Sequence, residues 1–137
     1  MALLQVNTYS VALSRIITFH IILPNDTQPE ILADNPYYKR QVKTLYLLHG
    51  FSGSTQDWLT GSLIQDIAVR YNLAVVMPAG ENSFYLNGKG TGRRYETFTA
   101  EELPDYCQKT FGLSADPEDN FIGGLSMGGF GAIHTAL

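Results

Sequence analysis

Three short apolar runs, each closing on glycine, proline or serine, constrain the fold of this chain more than any other feature. They are "TLYLLHG" (44–50), "NLAVVMP" (72–78) and "NFIGGLS" (120–126). None alternates between apolar and polar residues, and each is too short for a buried helix. They therefore read as central strands covered on both faces. Between the first two, "SLIQDIAVRY" sets Leu63, Ile67 and Tyr71 at helical spacing with Ile64 and Ala68 beside them, and Ser62 with Gln65 predicts a capping box. Between the second and third, "YETFTAEELPDYCQKTFG" predicts a helix that is acidic early, carries Lys109 late, kinks at Pro104 and ends at Gly112. "MGGFGAIHTAL" opens another helix after the third run. Strand and helix in alternation predict a parallel sheet with right-handed crossovers, an α/β fold.

Upstream, "SRIITFHIIL" puts Ile17, Phe19, Ile21 and Leu23 on one side and Thr18 and His20 on the other. That pattern predicts a half-buried antiparallel strand with His20 on its partly polar, surface face. "LLQVNTYSV" is a weaker strand that completes a hairpin, and residues 24–43, with three prolines, form a crossing loop. A chain of 137 residues with 45% apolar and 16% charged content supports one packed domain. The net charge of −4 is spread without a basic run, which argues against a nucleic-acid partner. The lone Cys107 excludes an internal disulfide and reads as a small buried hydrophobe within its helix. The N-terminus fits neither a signal peptide nor a membrane span, so a soluble, cytoplasmic protein is expected.

The third run leads into Gly124-Leu125-Ser126-Met127-Gly128, a G-x-S-x-G sequence between a predicted strand and a predicted helix. A sharp turn there would lift the serine hydroxyl above the sheet edge and leave no room for side chains two residues either way. The helix beyond adds an N-terminal dipole that favours the negative charge developing in acyl transfer. A second clue is independent of the first. "LLHGFSG" follows the first central strand, where a fold of this kind places its other oxyanion donor. The backbone amides of Phe51 and Met127 are then the two candidate donors, and His49 reads as a structural hydrogen-bonder at the strand end.

The stretches "YLLHGFSGSTQDWL", "NLAVVMPAGENSFY", "YETFTAEELPDY" and "FIGGLSMGGFGA" occur in the same order as in the esterase family that includes esterase D, S-formylglutathione hydrolase and the bacterial tributyrin-type esterases. The chain resembles the N-terminal half of that family, the tributyrin esterases most of all. The resemblance implies an α/β-hydrolase fold, Ser126 as nucleophile, the Phe51 and Met127 amides as oxyanion hole, small acyl esters as substrates, and no cofactor. Ser83, Phe84 and Tyr85 occupy the place where the family lines its pocket. No metal site is expected. A homo-oligomer is.

Members of this fold supply their triad in the order Ser, acidic residue, His. After Ser126 the sequence has no Asp or Glu and one histidine, His134. Eight residues along a helix place His134 ~12 Å from the nucleophile, too far for a base that must approach within ~3.2 Å. The expectation is that residues 1–137 are the N-terminal portion of a single α/β-hydrolase domain, a truncation or proteolytic product. A second polypeptide carrying the Asp and His would be its partner, and the fragment alone would be nearly inactive. Two alternatives remain open: an acyltransferase of the same fold, and an inactive fragment acting as an interaction module through an open sheet edge.

Other signals have plainer readings. "GENSFYLNGKGTG" lacks the G-x-x-x-x-G-K-[ST] spacing of a phosphate loop and reads as a surface loop beside the site. Arg93 and Arg94 could meet an anionic substrate, but adjacent loop arginines are usually just solvated. Glu101 and Glu102 suit a helix first half rather than general acid–base work. Trp58 is expected to pack behind the oxyanion loop, with a pocket-wall role as the alternative.

Overall fold

In the computed structural model, which describes residues 1–137, five strands form one sheet. Strands β1 (Ala2–Ser10) and β2 (Arg15–Leu23) make an antiparallel hairpin whose register runs from Ala2 opposite Leu23 to Ser10 opposite Arg15. The three apolar runs become β3 (Lys43–Leu48), β4 (Leu73–Pro78) and β5 (Asn120–Gly124). The sheet order is β1-β2-β4-β3-β5, with β4, β3 and β5 mutually parallel and β2 antiparallel to β4. The crossing loop contains a short helix α1 (Pro29–Leu32) and a 3-10 turn (Pro36–Lys39). Helices α2 (Asp57–Gly61) and α3 (Ile64–Tyr71) link β3 to β4. Helices α4 (Tyr95–Thr97) and α5 (Leu103–Phe111) link β4 to β5, and α6 (Met127–Ala136) follows β5.

The absence of alternation in the central strands is explained by two cores, one on each face of the sheet. On one face Phe19 and Ile21 of β2, Tyr46 of β3 and Val76 of β4 pack with Leu103 and Cys107 of α5. On the other, Ile22, Leu47, Val75 and Met77 pack with Ile64 and Ala68 of α3. The third run departs from its reading as a central strand covered on both faces. β5 pairs only with β3 at the edge of the sheet and buries no residue, Phe121 being 48% exposed, whereas β3 and β4 bury both their odd and their even residues. The second half of β2 does the same, which corrects the reading of His20. It is 8% exposed, and its Nδ1 lies 2.9 Å from the Thr55 hydroxyl, because the loop after β3 covers that face.

The α3 reading also needs correction. The capping box of Ser62 and Gln65 does not form. The Ser62 hydroxyl instead donates to the carbonyl of Trp58, and Ser62 Oγ accepts from the Ile64 amide at 3.3 Å. Ser62 therefore finishes α2, and α3 starts at Ile64. Its buried stripe is Ile64 and Ala68, while Leu63, Ile67 and Tyr71 are largely exposed. The predicted spacing was real, but the face turned inward is the neighbouring one.

Between α4 and α5, residues Phe98–Glu102 form a wide π-type turn. Pro104 causes it: the ring has no N–H to give to the carbonyl four residues back, Ala100, and would collide with it in a regular helix. The expected kink is realised as this widening. Gly112 closes α5 at φ 67°, the left-handed cap that glycine accepts without strain.

Burial at 0% exposure pushes the Cys107 thiol up to about 12. The folded state keeps this proton where the unfolded chain releases it, near ~8.5. The unfolded state then binds fewer protons, so stability is fully present below pH ~8.5 and declines as pH rises toward 12. Burial raises the Tyr46 and Tyr85 phenols as well, which steepens the decline at the alkaline end. Urea midpoints measured from pH 8 to 10.5 should fall, and Cys107→Ala should flatten the lower part of that slope.

Candidate active site

Ser126 sits where β5 ends and α6 begins, solvent-exposed, with φ 56° and ψ −114°. A non-glycine residue at positive φ is strained, and such strain survives only where the surroundings enforce it. Here three backbone bonds enforce it. The Leu125 amide donates to the Leu48 carbonyl at 3.3 Å, the Gly128 amide to Leu125 at 2.9 Å, and the Phe130 amide to Ser126 at 3.0 Å. The flanking glycines are sterically required. A Cβ on Gly124 would lie 2.8 Å from Gly128 Cα, and one on Gly128 would lie 2.7 Å from the His49 carbonyl oxygen. The turn is thus wedged against the end of β3, and the serine is lifted clear of the sheet.

The loop after β3 runs alongside. A Cβ built on Gly50 would stand 3.6 Å from Ser126 Cβ, so Phe51 follows directly on the residue that faces the serine. Two tethers shape this loop. The Gly53 amide donates to Gly50 at 3.0 Å, and the Ser52 amide donates to Asn82 Oδ1 at 2.8 Å. Met127, as the first residue of α6, carries one of the amides that a helix leaves without an internal partner. The site therefore sets an exposed hydroxyl at a helix N-terminus with a second loop backbone beside it. That arrangement suits attack on a carbonyl and stabilisation of the oxyanion that results.

His49 organises the site from below. It is 1% exposed, accepts the Gly80 amide on Nε2 at 2.9 Å, and has Nδ1 2.7 Å from the Gly50 carbonyl. Because Nε2 accepts, the ring proton is on Nδ1, which donates to Gly50. Both nitrogens are engaged, in keeping with a structural role. His49→Ala should lower stability by about 3 kcal/mol, since two buried hydrogen bonds and a buried ring are lost together. Denaturant unfolding of the variant measures this.

The residues expected near the substrate separate into different places. Ser83 is a turn residue, donating to the Gly80 carbonyl at 2.6 Å and accepting from the Tyr85 amide at 3.0 Å. Phe84, at φ 55° and 42% exposed, has its ring 6.1 Å from that of Phe51 and 5.9 Å from that of Phe130. Tyr85 is fully buried, packs with Leu48 and Met127, and donates its hydroxyl to the His49 carbonyl at 3.0 Å. It offers no surface to a ligand, a correction to its expected place in the pocket. Trp58 donates Nε1 to the Leu48 carbonyl at 3.1 Å and packs into the core beneath α3. It thus lies behind the loop that follows β3.

The sequence reading missed Phe130. Its position four residues beyond Ser126 was the available signal, because residues i and i+4 share a helix face. His134 stacks on Phe130 at 5.8 Å with the rings 5° apart, and its Nε2 lies 3.4 Å from Glu96 Oε2. Arg94 reaches the Thr97 hydroxyl at 3.3 Å. Arg93 lines a polar groove of about 600 Å³ with Arg15, Glu81, Asn87 and Tyr95. No cluster of three or more His, Cys, Asp and Glu side chains forms a metal-binding group, and no helix is long and apolar enough to cross a membrane.

The geometry has counterparts among known proteins. The chain is 41% identical over its whole length to an acetyl esterase of Caldicellulosiruptor saccharolyticus, of which it covers 51%. It superposes on FphF, a fluorophosphonate-binding serine hydrolase of Staphylococcus aureus, with a TM-score of 0.82 at 32% identity. The S-formylglutathione hydrolase FrmB of the same organism gives 0.79, also at 32% identity. In both structures 98% of this chain matches 51% of the other, so the chain spans about half the length of these relatives. The fold is therefore that of the α/β-hydrolases. The family model described as "Putative esterase" matches residues 10–137, from the turn of the first hairpin through the strained serine and its helix, and the chain belongs to that family.

Proposed function

We propose that the protein hydrolyses small carboxylic acyl esters with Ser126 as nucleophile. The observation that carries this reading is the exposed Ser126 at φ 56°, held between the Gly50 loop and the N-terminus of α6. Ser126 Oγ adds to the ester carbonyl carbon, and its proton passes to a general base. The Phe51 and Met127 amides, with the α6 dipole, hold the oxyanion. Collapse of the tetrahedral intermediate expels the alcohol, which takes up the proton, and leaves an acyl-Ser126 ester. Water then adds to that ester and releases the acid.

The base and the acid that orients it are not assigned to residues of this chain. His49 has both nitrogens engaged, His20 faces Thr55, and His134 is stacked and paired with Glu96. The reading assigns both groups to the half of the relatives' length that this chain does not span, in the order Ser, acid, His. Relatives described as acetyl esterase and S-formylglutathione hydrolase support small acyl groups as the substrate class.

The test is intact-mass spectrometry of the complete gene product after treatment with a fluorophosphonate. One adduct that maps to Ser126 is the expected result. Ester hydrolysis without labelling of Ser126 would remove the serine from its role.

A further inference from the structure

We infer that the outer edge of β1 is a self-pairing surface, through which two copies of the protein join antiparallel strands into one continuous sheet. β1 stands at the end of the strand order and is paired on one side only, with β2. Its nine residues extend ~30 Å. No backbone hydrogen bond outside the regular elements involves residues 2–10, so the alternate N–H and C=O groups facing away from β2 have no partner in the chain. Edges of this length are normally closed off by lysine, proline or a bulge. β1 has none of these. "ALLQVNTYS" contains neither charge nor proline, and its register is unbroken from Ala2 opposite Leu23 to Ser10 opposite Arg15.

The sequence of the strand selects a second copy as the partner. In an antiparallel pair with a two-fold axis at Val6, Leu3 meets Tyr9, Gln5 meets Asn7 and Val6 meets itself. Leu3, Gln5, Asn7 and Tyr9 are the exposed residues of β1 and share one face. Outward from the axis that face sets amide against amide and then aliphatic against aromatic, cross-strand pairs of the kind that stabilise a ladder. Ile16, opposite Tyr9 on β2, widens the apolar contact offered to Leu3 of the second copy. Leu3, Tyr9 and Ile16 are 45%, 62% and 70% exposed, large apolar side chains that the chain itself leaves uncovered.

Electrostatics agree. The chain carries a net charge of −4, yet the strand is neutral. Charges at its two ends are paired internally, the Met1 ammonium with Asp26 at 2.6 Å and Arg15 with Glu81 at 3.0 Å. No like charges meet across the axis. β1 also lies at the opposite edge of the sheet from β5 and the Ser126 turn, ~19 Å away across four strand spacings. Pairing at β1 is therefore independent of the ester chemistry.

The experiment measures the dimer dissociation constant of the complete gene product by sedimentation velocity. Beside it run the double variants Gln5→Lys/Asn7→Lys and Gln5→Glu/Asn7→Glu, and their equimolar mixture. Both positions are exposed, and charge at a sheet edge is compatible with folding. Each double variant sets like charges directly opposite at two symmetric places, so its dissociation constant should rise about tenfold over the parent. The mixture sets lysine against glutamate and should associate at least as tightly as the parent, with fluorophosphonate labelling of Ser126 unchanged from the parent throughout. A parent that stays monomeric across the micromolar range would overturn the pairing. Double variants that associate as tightly as the parent would place the dimer contact elsewhere and overturn it too. So would weakened variants whose mixture does not recover, because facing charges would not then be the cause. If either double variant unfolds, Leu3→Lys/Tyr9→Lys with Leu3→Glu/Tyr9→Glu repeats the test at the next pair.

Discussion

Ser126→Ala should lower kcat/KM of the complete gene product by about 10⁶-fold and abolish fluorophosphonate labelling, since nucleophile removal in serine hydrolases has effects of that order. The residual rate would come from the amides of Phe51 and Met127, which the substitution leaves in place. Retention of more than about one part in a hundred of the parent activity would show that another residue attacks the ester. The same position gives a stability prediction of opposite sign. At φ 56° and ψ −114° both Ser and Ala are strained, whereas glycine occupies that region freely. Ser126→Gly should therefore be more stable than Ser126→Ala by about 1–2 kcal/mol, read from urea midpoints. An inactive yet more stable variant would show that the turn stores strain to present the hydroxyl.

Gly128→Ala should destabilise the fold by about 3 kcal/mol. The added methyl would lie 2.7 Å from the His49 carbonyl oxygen and would overlap the Leu48 carbonyl, both backbone atoms at the end of β3. Neither can move without breaking the bond from the Leu125 amide to Leu48, which is part of what holds Ser126 in place. Activity and stability should thus fall together. By contrast Gly61→Ala, where a Cβ meets nothing within 4 Å, should be nearly silent and serves as the control. Equal unfolding midpoints for the two variants would contradict the wedged turn.

How far the sequence carried depends on the element. β3 and β4 were legible because burial on both faces requires unbroken apolar runs, while the edge position of β5, with Phe121 exposed, was not. The turn at Ser126 was legible because a backbone without room for Cβ atoms must be built from glycine. The structural character of His49 was legible from its place at a strand end, and the structure supplies its partners, Gly80 and Gly50. The inward face of α3 was not legible. Leu63, Ile67 and Tyr71 form as good an apolar stripe as Ile64 and Ala68, and the choice depends on where α2 ends. His20 misled for a related reason. Its alternation with Ile21 is genuine, but a loop more than thirty residues away in sequence covers its face.

The aromatic cluster was only half visible. Phe84 drew attention through its loop, yet nothing local distinguished it from Tyr85, which is one residue on and completely buried. Phe130 joins Phe84 only because β5 lies beside β3 and brings α6 next to the loop after β4. By itself the sequence determined the strands, the alternation of helices between them and the strained serine turn. Each of these is dictated by local sterics or by burial over a few residues. The tertiary structure alone decided which helix face turned inward, how His20 was covered and which rings meet Phe84. Those outcomes depend on the strand order β1-β2-β4-β3-β5, a set of long-range pairings that no local periodicity encodes.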